Sequence, residues 1–366
     1  MKDSGPLVFE FGPHHHVIPP IVKVLNSTSL SLFCQEQWHS IFARTMSDYG
    51  LAHRIKRLES LGNSVYSIIV AKAKKKTIVI SSAPERLFGA REIVQLTLLA
   101  ICRVDFLFIR NPIGWMYRRT SYKVNRVRSI EFISGLISRI LFLRSKKIVV
   151  EHESQKTFLM DQFSSHPLIL SWPNRLSDVH PITAKPLANP STSKLTIGML
   201  GNLNHDKRDY SVFLQCLSDY FSKSEVIVIV LGGVRLVRGF HREMIEKFSR
   251  VSTLETCLPQ DSWSESDFFY QGSRCHVLVS PLSLTWGFGS LWSSGSIADA
   301  IFLKRRLLLP EGIGLECQPS SFVNYYRDVE SLGRLLKATP LSDFEISQPQ
   351  FTSHIGSQLL LSNQQT

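Results

Sequence analysis

The arrangement of apolar residues constrains this chain most. Short apolar runs alternate with longer stretches of helical character, in two series separated by a Pro/Ser-rich break. In the first series LVFEF (7–11), SLSLFC (29–34), SVYSIIV (64–70), TIVIS (77–81), VDFLFI (104–109) and KIVV (147–150) are expected strands. In the second, LTIGML (195–200), EVIVIVL (225–231), VSTLET (251–256), HVLVS (276–280) and RLLLP (306–310) are expected strands. Helices are expected over 207–222, 239–250, 263–271, 291–303 and 320–338. Near-continuous apolar strands that alternate with amphipathic segments form parallel sheets with crossover helices. The expected fold is therefore α/β, two doubly wound Rossmann-like domains in series, and ligands bind such sheets outside the carboxyl ends of the strands.

A chain of 366 residues is long enough for two cores. The segment 173–194 is aperiodic and rich in Pro and Ser, the composition of a linker. The expected division is a first domain over 1–180, a linker over 181–194, a second domain over 195–340 and a tail over 341–366. The tail either packs back on the first domain or frays.

Charge divides the chain more sharply than hydropathy does. Residues 1–190 hold 26 Lys and Arg against 13 Asp and Glu, whereas residues 191–366 hold 16 against 17. The net charge of +12 thus resides in the first half, which must face something anionic. A nucleic-acid partner is not expected, because no DNA- or RNA-binding motif accompanies the charge. The six cysteines are scattered, with no CxxC and no zinc spacing, as buried thiols of a reducing compartment are. MKDSGPLVFEFG has neither the basic start nor the apolar run of a signal peptide. The apolar stretches 93–109 and 130–143 are interrupted by charges, which excludes a spanning helix there. A cytoplasmic protein is expected, soluble or peripheral on the inner face of a membrane.

Three stretches could carry chemistry. In GNLNHDKRDY (201–210), Gly201 permits a sharp turn after a strand, and Asn204 or Asp206 could cap the next helix. Lys207 and Arg208 would then lie in its first turn, where cations oppose the helix dipole. A bound anion, most simply a diphosphate, would explain that mismatch; a solvated charged loop is the plainer alternative. In SPLSLTWGFGSLWSSGSIADAIFLKRRLLLP (280–310), N–H groups around Ser294, Gly295 and Ser296 at a helix start could receive phosphate, with Asp299 one turn inside to accept ribose hydroxyls. A flexible loop with a surface Asp is the alternative there. In FEFGPHHHVIPP (9–20), a strand, a Gly-Pro turn and three histidines precede a helix with Pro in its first turn. One of His14, His15 and His16 could act as general base on an acceptor hydroxyl, or bind phosphate. Arg86, Arg110 and Asn111 follow first-series strands and are candidate acceptor contacts. Asn202 and Arg235 follow second-series strands and are candidate donor contacts.

Together the order of these elements resembles the nucleotide-sugar domain of GT-B glycosyltransferases, and within them the large retaining family (glycosyl transferases group 1). Gly201, Lys207 and Arg208 match its opening strand–Gly–loop–Lys/Arg. WGFG (286–289), Asp299-Ala300 and LKRRLLLP match its Gly-Phe-Gly loop, its Glu-Ala helix and its closing strand, and IVVEHESQKTFL (148–159) and WPNRL (172–176) match its first-domain elements. Trp286 stands where the family has a Glu that contacts the donor sugar, Lys304 replaces a Gly and Arg306 a Pro. The resemblance implies a GT-B fold with two domains facing a cleft. It also implies transfer of a sugar from a nucleotide diphosphate sugar to a glycan or lipid-linked acceptor, in cell-surface polysaccharide or glycolipid synthesis, with no metal and no cofactor. A sugar-nucleotide epimerase or hydrolase of the same fold, and a non-catalytic basic binding protein, are the alternatives. The stretch 114–147 alternates apolar residues at helical spacing with a basic rim and adjoining aromatics, so it is expected to rest on an anionic membrane surface or to pack as a crossover helix.

Overall fold

The computed structural model describes residues 5–11, 15–25, 27, 29–82, 90–109, 136–151, 153–163, 169–171, 181–182, 190, 193–204, 207–234, 239–258, 260, 262–284, 295–313 and 323–340. Two compact units result, one built around each sheet.

The first unit runs β1 (Leu7–Glu10), α1 (Ile18–Leu25), β2 (Leu30–Cys34), α2 (His39–Asp48), β3 (Ile55–Ser60), α3 (Ser64–Ala73), β4 (Ile78–Ser82), α4 (Ala90–Cys102), β5 (Phe106–Ile109), β6 (Lys147–Val150), α5 (Glu153–Gln162) and β7 (Ile169–Ser171). Residues 136–144, before β6, are also helical. The seven strands pair in the order β3-β2-β1-β4-β5-β6-β7, every pair parallel. Inner strands such as β1 and β4 are buried along their whole length, because helices cover both faces. The edge strand β3 is only partly buried and carries Lys56, Arg57 and Glu59, charges that blunt an unpaired edge. Ile68 of α3, Leu99 of α4, Phe142 and Leu159 of α5 share one core with Phe9, Ile80 and Leu107 of the sheet.

The second unit runs β8 (Leu195–Met199), α6 (Ser211–Tyr220), β9 (Val226–Val230), α7 (Gly239–Val251), β10 (Thr253–Glu255), α8 (Glu265–Ser273), β11 (Val277–Val279), α9 (Gly295–Leu303), β12 (Arg306–Pro310), β13 (Val323–Tyr326) and α10 (Val329–Lys337). Its six strands pair in the order β10-β9-β8-β11-β12-β13, again all parallel. Phe213 of α6 and Phe248 of α7 pack with tilted rings 5.6 Å between centroids, both within the core formed on Ile197 and Val228. A complete capping box starts α10, where Asp328 accepts from Ser331 N at 2.8 Å.

Three expectations about elements are corrected. SVYSIIV lies in helix α3, not in a strand. Its β-branched residues favour a strand, but the chain must cross from the edge strand β3 to β4 beside β1, and a parallel crossover is made by a helix. The intervening edge strand, IKRLES, has too many charges to show an apolar run. Within the helix expected over 320–338, Val323–Tyr326 form strand β13, which extends the sheet beyond β12, and the helix begins only at Val329. The helix expected from 207 begins at Ser211. The stretches 114–135 and 341–366, and linker residues 183–189 and 191–192, lie outside the described residues.

Five of the six cysteines lie among the described residues, all of them buried. Burial pushes the thiols of Cys34, Cys216 and Cys275 up to about 12. At pH 8 they stay protonated, and the thiolate is the reactive form. We expect Cys34, Cys216 and Cys275 to resist a water-soluble thiol reagent in native protein and to react at once in denaturant, as followed by mass spectrometry; prompt native labelling of any of the three would contradict the burial. We further expect Phe213→Ala to cost about 3–5 kcal/mol of second-unit stability in urea unfolding, and a loss under about 1 kcal/mol would show that this core does not close around Phe213.

Candidate functional site

In each sheet the strand order reverses direction once, between β1 and β4 in the first and between β8 and β11 in the second. The loops leaving the carboxyl ends of those strand pairs diverge to opposite faces, and the gap between them is where open α/β sheets take ligands.

At the second sheet, β8 leads through Leu200 into Gly201, whose φ of +86° suits glycine alone. A side chain at Gly201 would collide with the Arg208 guanidinium, which lies across this bare turn. Gly232, after β9, meets the Gly201 carbonyl and Asn202 nitrogen so closely that no side chain fits between the two main chains. Gly233 N donates to Asn202 Oδ1 at 2.6 Å and locks the loops together.

Arg208 ties this turn to the end of β11. Its backbone forms an antiparallel bridge with Leu282, flanked by Asp209 N donating to Pro281 O at 2.9 Å and Ser283 N donating to Lys207 O at 3.0 Å. Arg208 Nε donates to Asn202 O at 3.1 Å, and Nη1 donates to Ser280 Oγ at 3.1 Å. Ser280 Oγ is 2.7 Å from Ser296 Oγ, in the first turn of α9, and both serines are buried. The guanidinium, the end of β11 and the start of α9 thus form one hydrogen-bonded series. Burial pulls the Arg208 pKa down, opposed by Tyr210, Asp299 and Tyr326. The Arg208 fork carries five N–H donors, of which the protein engages only part. A cation with spare donors, beside the first turn of a helix, can bind an oxyanion with charge-assisted bonds.

The two adjacent cations are not equivalent. Lys207 is exposed, whereas Arg208 is half-buried. Neither is in a helix, so the expected first-turn placement is corrected. Lys207 lies in a turn, and Arg208 follows it in an isolated bridge. The expected cap is corrected too. Tyr210 is the N-cap of α6 and makes no side-chain cap bond; Asp209 accepts from Ser211 N at 2.9 Å, Asn204 N donates to the Tyr210 hydroxyl at 3.0 Å, and Asp206 lies outside the described residues.

Of the other donor-side candidates, Asn202 is exposed and lies in the same turn. Gly295 is exposed at the start of α9, and Asp299, half-buried, lies one turn further on. Among the described residues, a Cβ on Gly295 would have Asp299 Oδ2 as its nearest neighbour, at 3.8 Å. Gly201, Asn202, Arg208, Ser296, Gly295 and Asp299 therefore gather at one edge of the second sheet. Arg235 and Ser294 lie outside the described residues.

At the first sheet, His14, Arg86, Arg110 and Asn111 lie outside the described residues. His15 and His16 form a short 3₁₀ turn leading into α1, and the His16 side chain is half-buried. The residue that sequence reasoning passed over is Glu10. It is the last residue of β1, wholly buried, and pairs in register with Cys34 of β2 and Ser82 of β4. Ser81 Oγ lies 2.6 Å from Glu10 Oε2 and donates to it. A buried carboxylate at the switch point is costly unless it is satisfied, so such groups concentrate where chemistry is done. The signal was present as an acid at the end of an apolar run, directly before Gly-Pro-His.

No family model matches this sequence, and no curated protein matches it. Solved structures do resemble its fold. The S. aureus MnaA–UDP co-structure aligns with a TM-score of 0.60 at 9% identity, covering 99% of this chain and 96% of that one. The UDP-GlcNAc 2-epimerase from Neisseria meningitidis bound to UDP-GlcNAc aligns at 0.57 and 12% identity, covering 98% and 99%. The sucrose-phosphate synthase from Thermosynechococcus elongatus aligns at 0.51 and 9% identity, covering 98% and 94%. The two parallel sheets with their helices, and these neighbours, show the GT-B fold that the order of sequence elements implies.

Proposed function

We propose that this protein is a glycosyltransferase that moves a sugar from a nucleotide diphosphate sugar to a glycan or lipid-linked acceptor. The second unit holds the donor and the first the acceptor. The observation that carries this reading is the series Arg208–Ser280–Ser296, which sets a part-satisfied guanidinium beside the first turn of α9. Departure of a nucleoside diphosphate places negative charge on its bridging oxygen. Arg208 and the N–H groups at the start of α9 stabilise that charge, and because they are held before reaction they need little reorganisation. Asp299 accepts from the ribose hydroxyls, and Asn202 and Gly201 shape the turn against which the phosphates lie. Lys207 contributes long-range attraction from an exposed position. Arg235 and Ser294 remain donor contacts in this proposal, and Arg86, Arg110 and Asn111 acceptor contacts.

The acceptor hydroxyl must lose a proton. One of His14, His15 and His16 is the base in this reading if configuration is inverted, and departing phosphate takes the proton if it is retained. Glu10 sits at the carboxyl end of the strand that precedes those histidines and adds a negative charge to that edge.

A second reading, epimerisation or hydrolysis of a sugar nucleotide without an acceptor, is favoured by the fold likeness to UDP-GlcNAc 2-epimerases and by a buried acid at the first switch point. Turnover separates the two. Transfer requires an acceptor, so sugar nucleotide incubated alone should be consumed only slowly. Rapid conversion of the donor sugar to an epimer in that incubation, seen by NMR, would replace the first reading with the second.

Calorimetry with nucleoside diphosphates tests the site itself. Arg208→Ala should weaken binding by roughly a hundredfold, the equivalent of a charge-assisted hydrogen bond pair, and Lys207→Ala by no more than about threefold. Equal losses in the two variants, or none in Arg208→Ala, would remove Arg208 from the site.

A further inference from the structure

Seven of the eleven large hydrophobic side chains exposed among the described residues lie on α3, α4 and residues 136–144, so their exposure is a local property and not random scatter. These three helical segments cover the same sheet with their inner residues Ile68, Leu99 and Phe142. Outward they present Ile69, Ile101 and Leu143, 53%, 59% and 55% exposed, with Val94 and Ile140 on the same segments. Two hydrogen bonds draw their carboxyl ends together. Lys72 Nζ donates to Cys102 O at 3.1 Å, joining α3 to α4, and Arg144 Nε donates to Ala100 O at 2.9 Å, joining 136–144 to α4.

Cations border this apolar layer. Lys74 and Lys75 precede β4, Arg103 precedes β5, and Lys146, whose Nζ lies 2.7 Å from Asp105 Oδ1, precedes β6. These three strands are neighbours, so the residues before them form a row along the amino edge of the sheet. Arg139 and Arg144 extend the row, exposed on the last helical segment. Lys75, Arg103 and, in the second unit, Lys304 have φ of +51°, +59° and +53°, at positions after a helix that ordinarily take Gly or Asn. Helix-dipole complementarity accounts for some of the positive charge at helix ends. It does not account for the bare aliphatic surface beside those cations.

We infer that the outer face of α3, α4 and residues 136–144, with its cationic edge, docks on the headgroup region of an anionic lipid bilayer. The aliphatic side chains enter the acyl boundary, Tyr66 lies at headgroup level as interfacial tyrosines do, and the cations meet lipid phosphate. A second copy of this chain is a poorer occupant, because a twofold contact would set the same cations against one another. Nucleic acid is a poorer one, because single strands are held by aromatic stacking and this face is aliphatic apart from Tyr66. Among the described residues no helix is long and apolar enough to cross a membrane, so the contact is peripheral. This inference moves the basic membrane element expected over 114–147 onto a surface shared by three helical segments, and it does not depend on the proposed activity.

Vesicle sedimentation of the full chain tests it. Phosphatidylcholine vesicles carrying about one third phosphatidylglycerol should bind the protein, and vesicles of phosphatidylcholine alone should not. Binding should weaken steeply with salt. The variant Ile69→Gln/Ile101→Gln/Leu143→Gln should lose at least about tenfold in affinity. The variant Lys74→Ser/Lys75→Asn/Arg103→Asn, whose asparagines tolerate positive φ, should lose about a hundredfold. All substituted residues are exposed, so melting temperatures should stay close to the parent's and show that the variants fold. Absence of binding to the anionic vesicles, or unchanged binding by both folded variants, would overturn the inference. So would a dimer in light scattering that the glutamine variant dissolves, or oligonucleotide binding that matches vesicle binding and survives the glutamine substitutions.

Discussion

Burial of a parallel sheet on both faces is the constraint from which this molecule's organisation follows. Strands such as Val226–Val230 and Ile78–Ser82 have no solvent-facing side, so each must be followed by a helix that covers it. Once the crossovers share one hand, the chain can fill a sheet from its middle only by reversing direction once. That reversal opens the gap between β1 and β4 and between β8 and β11. Glu10 in one unit and Arg208 in the other occupy those gaps, opposite in charge and each anchored by a serine from the neighbouring strand end. The first unit thus offers a buried carboxyl and the second a half-buried guanidinium, and in the proposed chemistry the guanidinium suits a phosphate to be released.

Most of the fold was legible because burial on both faces leaves an unmistakable trace of uninterrupted Val, Ile and Leu. Legibility failed where the trace is weak or misleading. IKRLES is an edge strand whose exposed side carries Lys56, Arg57 and Glu59, so its composition is that of a loop. SVYSIIV has strand composition and forms a helix, because residue preference is worth tenths of a kcal/mol per position and the topology demands a crossover there. Tyr325 and Tyr326 at the end of the last strand were hidden by a helical pattern that starts immediately afterwards.

The candidate site was half legible. Gly201 and the cations beyond it declare a strand-to-loop turn, and the start of α9 was evident from its Gly/Ser approach. What sequence spacing could not convey is that residues 207–209 pair with 281–283, some seventy positions away. That pairing places Arg208 across the Gly201 turn and leaves Lys207 exposed. Ser280 was visible only as the end of a strand. Its role as the link between Arg208 and Ser296 belongs to the register of β8 with β11, which no local pattern records. Glu10 was overlooked for a related reason. An acid inside an apolar run looks like an interruption until the neighbouring strand supplies Ser81.

The contact between Gly201 and Gly232 has a mechanical corollary. With main chain against main chain and nothing compressible between them, the lips that leave β8 and β9 form a single stiff rim. Whatever displaces one lip must carry the other along, so the rim offers an arriving molecule a fixed template. Adaptation to ligands of different girth then falls to the opposite wall, where α9 begins.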